Sequence, residues 1–352
     1  MAGQNEISPF NSFRILSYYS EAKAILEGKI PFPRMAIIYP SYMCNHHCVY
    51  CFYKKDIDAG ILKYMKYDDF MRIVEQLNSV GVQGIELCGG GEPLTNPHIH
   101  KILKDSIEKY SFKWGLLTNG GLLDNELIEL IVKNFSYIRI SLDDIHKYGH
   151  NYKRKPNQLD EYNKIFTNIT NMLILKDKYN TNIKIGIKIL LLKCSEEAIM
   201  EYVYYANNIG LDSVQIKVAE YENVQFILND VFANSEKLEF IIDSLRENSI
   251  PILATVRKTL LTKPCWLSPL QTTIDVNGDV YICCYFQHRR EEHRIGNMLE
   301  QPFTEFWGSQ KHRDAISKIS IDKCNTWNCR FHKYNAFMEK AVKEDLMQLE
   351  FC

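Results

Sequence analysis

Apolar and polar stretches alternate along the chain in a way that reads as α and β in turn. A helical pattern over 12–28 comes first and stops near Gly28. MAIIY at 35–39 is a short unbroken apolar run, the mark of a buried strand. Phe70, Ile73, Val74 and Leu77 then recur at helical spacing within 67–77. Further strands are predicted at 82–87, 114–117, 137–142, 183–192 and 212–218, with a short extra one at 251–256. Helices are predicted at 98–110, after Asp124, at 159–179, from Ser195 to Gly210, and at 235–247. Asp124 and Ser195 stand where helix caps belong.

Strands alternating with helices predict parallel βαβ units wound right-handed, hence an α/β fold. Six such units make either an open doubly wound sheet or a partial (β/α)6 barrel. The polar motifs choose between them. CNHHCVYC (44–51) follows the first strand, CGGGEP (88–93) the second, TNGG (118–121) the third, and SLDD (141–144) ends the fourth. Lys193 ends the fifth and Glu220 follows the sixth. A barrel brings strand carboxyl ends to one face, where active sites form. The expected fold is therefore a partial, TIM-like barrel.

From about 263 the pattern changes. TTIDVNGDVYICC has β-rich halves around Asn277-Gly278, a hairpin signal. A helix at about 309–318 and a cysteine-containing loop at 324–329 follow. The expected organisation is an N-terminal helical extension (1–30), a partial-barrel domain (31–258) and a small C-terminal module (259–352).

With 352 residues, 46% hydrophobic, the chain can bury one large core or two. A net charge of −1 gives no support to nucleic-acid binding. Apolar runs such as Ile189–Leu192 fall far short of a membrane span. The start, MAGQNEISPF, has no secretory pattern, and Ala2 stands where myristoylation needs glycine. A cytoplasmic protein is expected, and there its eleven cysteines are poor disulfide candidates.

Those cysteines are clustered. Cys44, Cys48 and Cys51 are spaced C-x3-C-x2-C, six more run from Cys265 to Cys352, and Cys88 and Cys194 stand apart as expected buried thiols. Three thiolates suit either a zinc site completed by His46 or His47, or an iron–sulfur cubane with one iron left open. An open metal position is the usual mark of catalysis.

The C-x3-C-x2-C spacing, with Tyr50 before the last cysteine, resembles the signature of radical S-adenosylmethionine (radical SAM) enzymes. The resemblance implies that Cys44, Cys48 and Cys51 hold a [4Fe-4S] cluster whose open iron chelates SAM. It also implies a (β/α)6 partial barrel and an external electron donor such as flavodoxin or ferredoxin. Gly90-Gly91-Glu92-Pro93 is similar to the family's GGE motif, which contacts the SAM amino group. Ser141 and Asp143 match its ribose-contacting motif, Tyr50 lies toward the adenine, and Asn119 lines the pocket. Cys265, Gly278-x4-Cys283, Cys324 and Cys329 resemble the SPASM and twitch extensions. They imply one auxiliary [4Fe-4S] cluster, with two clusters, or a four-cysteine zinc site, as the alternatives.

Cys284 is left over beside Cys283, either packed or acting as a hydrogen-atom donor to a substrate radical. Lys217, Glu220, His146 and Arg154 are the residues placed to act as base or anchor, Arg154 being assigned to the cofactor side. The expected substrate is a small polar molecule of sugar or aminocyclitol type, undergoing dehydrogenation, epimerisation or deoxygenation. A peptide substrate and a non-catalytic iron–sulfur or zinc scaffold are the alternatives.

Overall fold

The structure is a computed structural model. It describes residues 17–48, 50, 51, 53, 63–146, 161–191, 196–218, 241–245, 252–254, 265–287, 289–320, 329 and 331–343. After helix α1 (Tyr19–Leu26), strands β1 (Met35–Ile38), β2 (Gly84–Leu87), β3 (Lys113–Thr118), β4 (Phe135–Ser141), β5 (Lys184–Leu191), β6 (Ser213–Val218) and β7 (Ile252–Ala254) form a parallel sheet in chain order. Between them run α2 (Tyr67–Ser79), α3 (Ile99–Lys109), α4 (Asn125–Asn134), α5 (Glu161–Tyr179) and α6 (Glu196–Asn208). Residues 241–245 are also helical, inside the stretch predicted as the last barrel helix. The strands fall within a residue or two of the apolar runs, and Asp124 caps α4 by accepting the Leu127 N–H at 2.9 Å. Ser195 lies outside the described residues.

Alternate strand positions explain the layering. Ile138, Ile140, Ile185, Ile187, Val214 and Ile216 pack against Ile165, Ile169, Met172 and Val203 of the helices in one continuous core. The intervening positions, Tyr137, Arg139, Ser141, Lys188, Gln215 and Lys217, are half-buried and face away from the helices. The sheet does not close, since β7 is one of its edges. The fold is the expected partial barrel, with a polar inner wall.

The C-terminal region is joined to the barrel more closely than an appended module would be. Strand β8 (Gln271–Ile274) pairs in parallel with β1 on the side opposite β2, with Met35 opposite Gln271 and Ile38 opposite Ile274. It turns through Asp275–Gly278 into antiparallel β9 (Asp279–Tyr281), as the Asn-Gly signal predicts, and β10 (Arg294–Asn297) completes a ten-stranded sheet. Three short helices, α7 (Arg290–His293), α8 (Phe303–Phe306) and α9 (Gln310–Ser317), precede α10 (His332–Lys343). The last packs near α1, where Ile25, Leu267, Leu270 and Met338 share a small core.

Candidate active site

The cysteine loop leaves the end of β1 and is clamped by the glycine loop that leaves β2. Gly91 N–H donates to the Ser41 carbonyl at 3.0 Å and Glu92 N–H to the Met43 carbonyl at 2.8 Å. A Cβ on Gly90 would sit 2.0 Å from the Tyr42 ring, and one on Gly91 2.0 Å from the Met43 oxygen. Glycine is required because one stretch of protein backbone lies directly on another, a closer constraint than the turn alone imposes.

Glu92 is buried and fully engaged. Oε1 accepts from Thr118 Oγ1 at 2.6 Å and from Leu94 N–H at 3.2 Å, and Oε2 accepts from Asn119 N–H at 2.7 Å. Asn119 Nδ2 in turn donates to Asn45 Oδ1 at 2.8 Å, inside the cysteine loop. On the far side Asp143, fully buried, accepts from Leu190 N–H at 3.1 Å and from the Tyr50 hydroxyl. Ser141 stands two residues away at the end of β4, in register with Lys188. Tyr50, Glu92, Asn119, Ser141 and Asp143 thus come from the cysteine loop after β1 and from the ends of β2, β3 and β4.

The thiols of that loop are neighbours. Burial first, then the Glu92 carboxylate and the neighbouring Cys48 and Cys51 thiols, push the Cys44 thiol up to about 12. His46 N–H donates to Cys44 Sγ at 3.4 Å. A thiol so raised keeps its proton until a metal displaces it. Among the described residues no group of three His, Cys, Asp or Glu side chains is gathered as a single ion would need.

Sequence reasoning missed Glu161, the first residue of α5. Its Oε1 accepts from Asn45 Nδ2 at 3.1 Å, and its Oε2 lies 2.5 Å from His46 Nε2. His46 is 1% exposed, so this histidine braces the loop from beneath. The one signal in the chain was an acidic residue in the first turn of a helix that follows a strand-end motif. Thr118 was also missed, because a threonine at the end of a strand looks like ordinary β composition.

Lys217 lies on the inner wall, in register with Leu190. His146 is exposed, with Nε2 3.3 Å from Glu201 Oε2. Glu220, Arg154 and Lys193 lie outside the described residues, as do Cys194, Cys324 and Cys352.

At the C-terminal end, the Cys283 and Cys284 thiols lie within hydrogen-bond reach of one another. A hydrogen bond to Cys284, then burial, raises the Cys283 thiol, and Cys329 is near enough to contribute. Tyr285 N–H donates to Cys283 Sγ at 3.3 Å, and Asn335 Nδ2 donates to Cys265 Sγ at 3.3 Å. Cys284 packs with Cys51 and Cys88 against a buried group of Ile37, Tyr39, Tyr42, Tyr53, Tyr281 and Phe286. Cys88 is half-buried and bounds this group, where the sequence suggested an isolated structural thiol.

Residues 38–176 match the family model of the Radical SAM superfamily, and residues 265–330 match the SPASM model, an iron-sulfur cluster-binding domain. The chain is 27% identical to the GTP 3',8-cyclase of Clostridium perfringens strain SM101, over 56% of its own length and 58% of the cyclase. It is 23% identical to the cysteine-type anaerobic sulfatase-maturating enzyme of Clostridium novyi, over 82% of its own length and 83% of that protein. Against the first curated relatives it matches, the chain spans less than two thirds of their length, 30% in one and 58% in the next. The crystal structure of Streptococcus suis SuiB bound to S-adenosylmethionine superposes with a TM-score of 0.65 at 18% identity, covering 92% of this chain and 77% of SuiB. That likeness carries the fold. Together the two domains imply [4Fe-4S] clusters and SAM as cofactors. Among the described residues no helix is long and apolar enough to cross a membrane.

Proposed function

We propose that this chain, a member of the radical SAM superfamily with a C-terminal SPASM domain, cleaves SAM reductively and uses the resulting 5'-deoxyadenosyl radical to take hydrogen from a small polar substrate. The observation that carries this reading is the joining of four strand-end motifs through Glu92 and Asp143 around the three-cysteine loop. A bare metal scaffold has no use for such a pocket.

In this reading Cys44, Cys48 and Cys51 hold the first cluster, which when bound supplies the electron for SAM cleavage. The loop's chemistry fits the group: its thiols are adjacent, and Cys44 already accepts an N–H bond of the kind that steadies a ligating sulfur. Glu92 meets the SAM ammonium at one end. With Thr118 and Asn119 bound to it, the carboxylate is fixed in direction before the ligand arrives. Asp143 and Ser141 face the ribose, Tyr50 the adenine, and Asn119 closes the wall between them.

Cys265, Cys283, Cys324 and Cys329 are assigned to one auxiliary [4Fe-4S] cluster, in the domain 259–352. Cys283 and Cys329 are near one another, and Cys265 and Cys283 each accept an N–H bond at sulfur. Cys284, turned toward Tyr39 and Tyr53, stays as the thiol that donates hydrogen if the reaction is an epimerisation. Lys217, with Glu220 three residues further along the chain, supplies the base or anchor, and Arg154 stays assigned to the cofactor side.

A sugar or aminocyclitol fits the inner wall, where Tyr137, Arg139, Ser141, Lys188, Gln215 and Lys217 present polar groups at alternate positions. Oxidation, epimerisation and deoxygenation all begin with the same hydrogen abstraction. The likeness along most of the chain to a sulfatase-maturating enzyme favours a second reading, a peptide substrate. Anaerobic reconstitution separates these. About eight irons per chain mark two cubanes, and 5'-deoxyadenosine formed with SAM and reductant marks the radical chemistry. Deuterium passing into deoxyadenosine from a labelled aminocyclitol or sugar supports the first substrate class, and from a cysteine- or serine-containing peptide the second. Zinc without sulfide overturns the whole reading.

A further inference from the structure

Asn335 sits in the first turn of α10, 2% exposed, with its own N–H bonded to the Phe331 carbonyl at 2.8 Å. Its carboxamide spans the turn that carries Cys265. Oδ1 accepts from Leu267 N–H at 3.2 Å, and Nδ2 donates to Cys265 Sγ at 3.3 Å. The first bond settles the orientation of the amide. Leu267 N–H can only donate, so the carboxamide oxygen must face it, and the nitrogen is left against sulfur. Leu267, Leu270 and Met338 belong to the small core that joins this turn to α10. At Cys44 and Cys283 the N–H donor is backbone. At Cys265 it is a side chain, and therefore replaceable.

We propose that Asn335 is a positioning residue that raises the reduction potential of the auxiliary cluster by donating an N–H···S hydrogen bond to the ligating sulfur of Cys265. The inference rests on the assignment of Cys265 as an auxiliary-cluster ligand. Reduction adds negative charge that is shared with the thiolate sulfurs. A fixed N–H dipole aimed at one of them stabilises the reduced state more than the oxidised one. Burial strengthens the effect, because little solvent screens it.

Two variants of the full, reconstituted chain test this. Asn335→Asp keeps the acceptor for Leu267 and replaces the donor with a carboxylate oxygen. Asn335→Leu keeps the approximate shape and removes both bonds. Cluster potentials are read by redox titration followed by electron paramagnetic resonance. Both variants are expected to hold about eight irons. At the wild-type midpoint, each should show a reduced-to-oxidised ratio of the auxiliary cluster about tenfold lower, about 59 mV for one electron. The first cluster should titrate as before. An unchanged auxiliary midpoint in both iron-replete variants overturns the proposal. So does loss of the auxiliary iron in both, which would make Asn335 a folding residue only. Cys265→Ala that still holds about eight irons would instead remove the ligand assignment, so the two failures are told apart.

Discussion

At Glu161 one carboxylate holds both Asn45 and His46 of the cysteine loop, and His46 is almost wholly buried beneath it. A charge-assisted bond of this kind contributes about 1.5–3 kcal/mol, and removing one partner strands the other. Glu161→Gln and His46→Leu are each expected to lower the thermal midpoint of the chain while leaving iron per chain unchanged, since neither residue is assigned as a ligand. The double variant should be scarcely worse than either single one. Differential scanning calorimetry with iron analysis checks this, and a fall in iron with His46→Leu alone would return that histidine to the ligand set. Cys44, Cys48, Cys51, Glu92, Asn119 and Asp143 could be singled out in the sequence because each belongs to a compact motif. Glu161 could not, because its partner lies more than a hundred residues away and nothing local distinguishes it from a solvated first-turn acid.

Elements were legible where the hydrophobic period was unambiguous. The unbroken apolar run MAIIY gave β1, the stretch 82–87 contained β2, and i, i+3, i+4 spacing gave α2. What the period could not carry was the contact between loops. The glycine loop after β2 reads locally as a tight turn, yet Gly90 lets the Tyr42 ring, and Gly91 the Met43 carbonyl, lie against it. Gly91→Ala would force that carbonyl, one residue before Cys44, to move. Overpacking of this kind costs about 1–3 kcal/mol, and here the strain falls on the metal loop. The expected result is loss of about four of about eight irons on reconstitution, with the auxiliary signal retained.

Helix α9 carries a buried histidine. His312 lies within it, fully buried, its Nδ1 accepting from Gly308 N–H at 3.0 Å and its ring set edge-on to Trp307. Burial, with Arg313 adding, lowers its pKa to about 4 from an ordinary 6.5. The unfolded chain therefore takes up the proton first on acidification. Stability from this group is full above about 6.5, falls as pH drops toward 4, and the loss is at most about 3 kcal/mol. His293, lowered to about 4 by burial and then by Arg289, has the same sign. His312→Phe should flatten part of the decline in thermal midpoint of the apo chain between pH 6.5 and 4.

For the whole molecule, the C-terminal strands are continuous with the barrel sheet. The change of pattern near 263 was visible, but pairing was not, because a strand as short and polar as QTTI carries no mark of its partner. It extends the barrel sheet alongside β1. Tyr42 reaches across to donate to Asp275 Oδ2 at 3.0 Å, Tyr39 packs on Phe286 with ring centroids 5.8 Å apart, and Phe303 N–H donates to Gln76 Oε1 at 2.8 Å. Ile274, Val276, Val280, Tyr281, Ile282 and Phe286 are all buried. At about 1.5–3 kcal/mol each, these six side chains contribute on the order of ten kcal/mol. That is comparable to the whole net stability of a domain, about 5–15 kcal/mol. A chain ending at residue 258 would lose them and expose the edge of β1, an unpaired strand prone to association. It is expected to be aggregated on size-exclusion chromatography, to lack a cooperative melt, and to take up no SAM-binding cluster. The full chain with Cys265, Cys283, Cys324 and Cys329 all changed to serine should behave differently. It should keep the melt and the first cluster, because the strands of the C-terminal region, rather than its iron, complete the barrel. A soluble, cluster-binding 1–258 fragment would show instead that the barrel closes its own edge without β8.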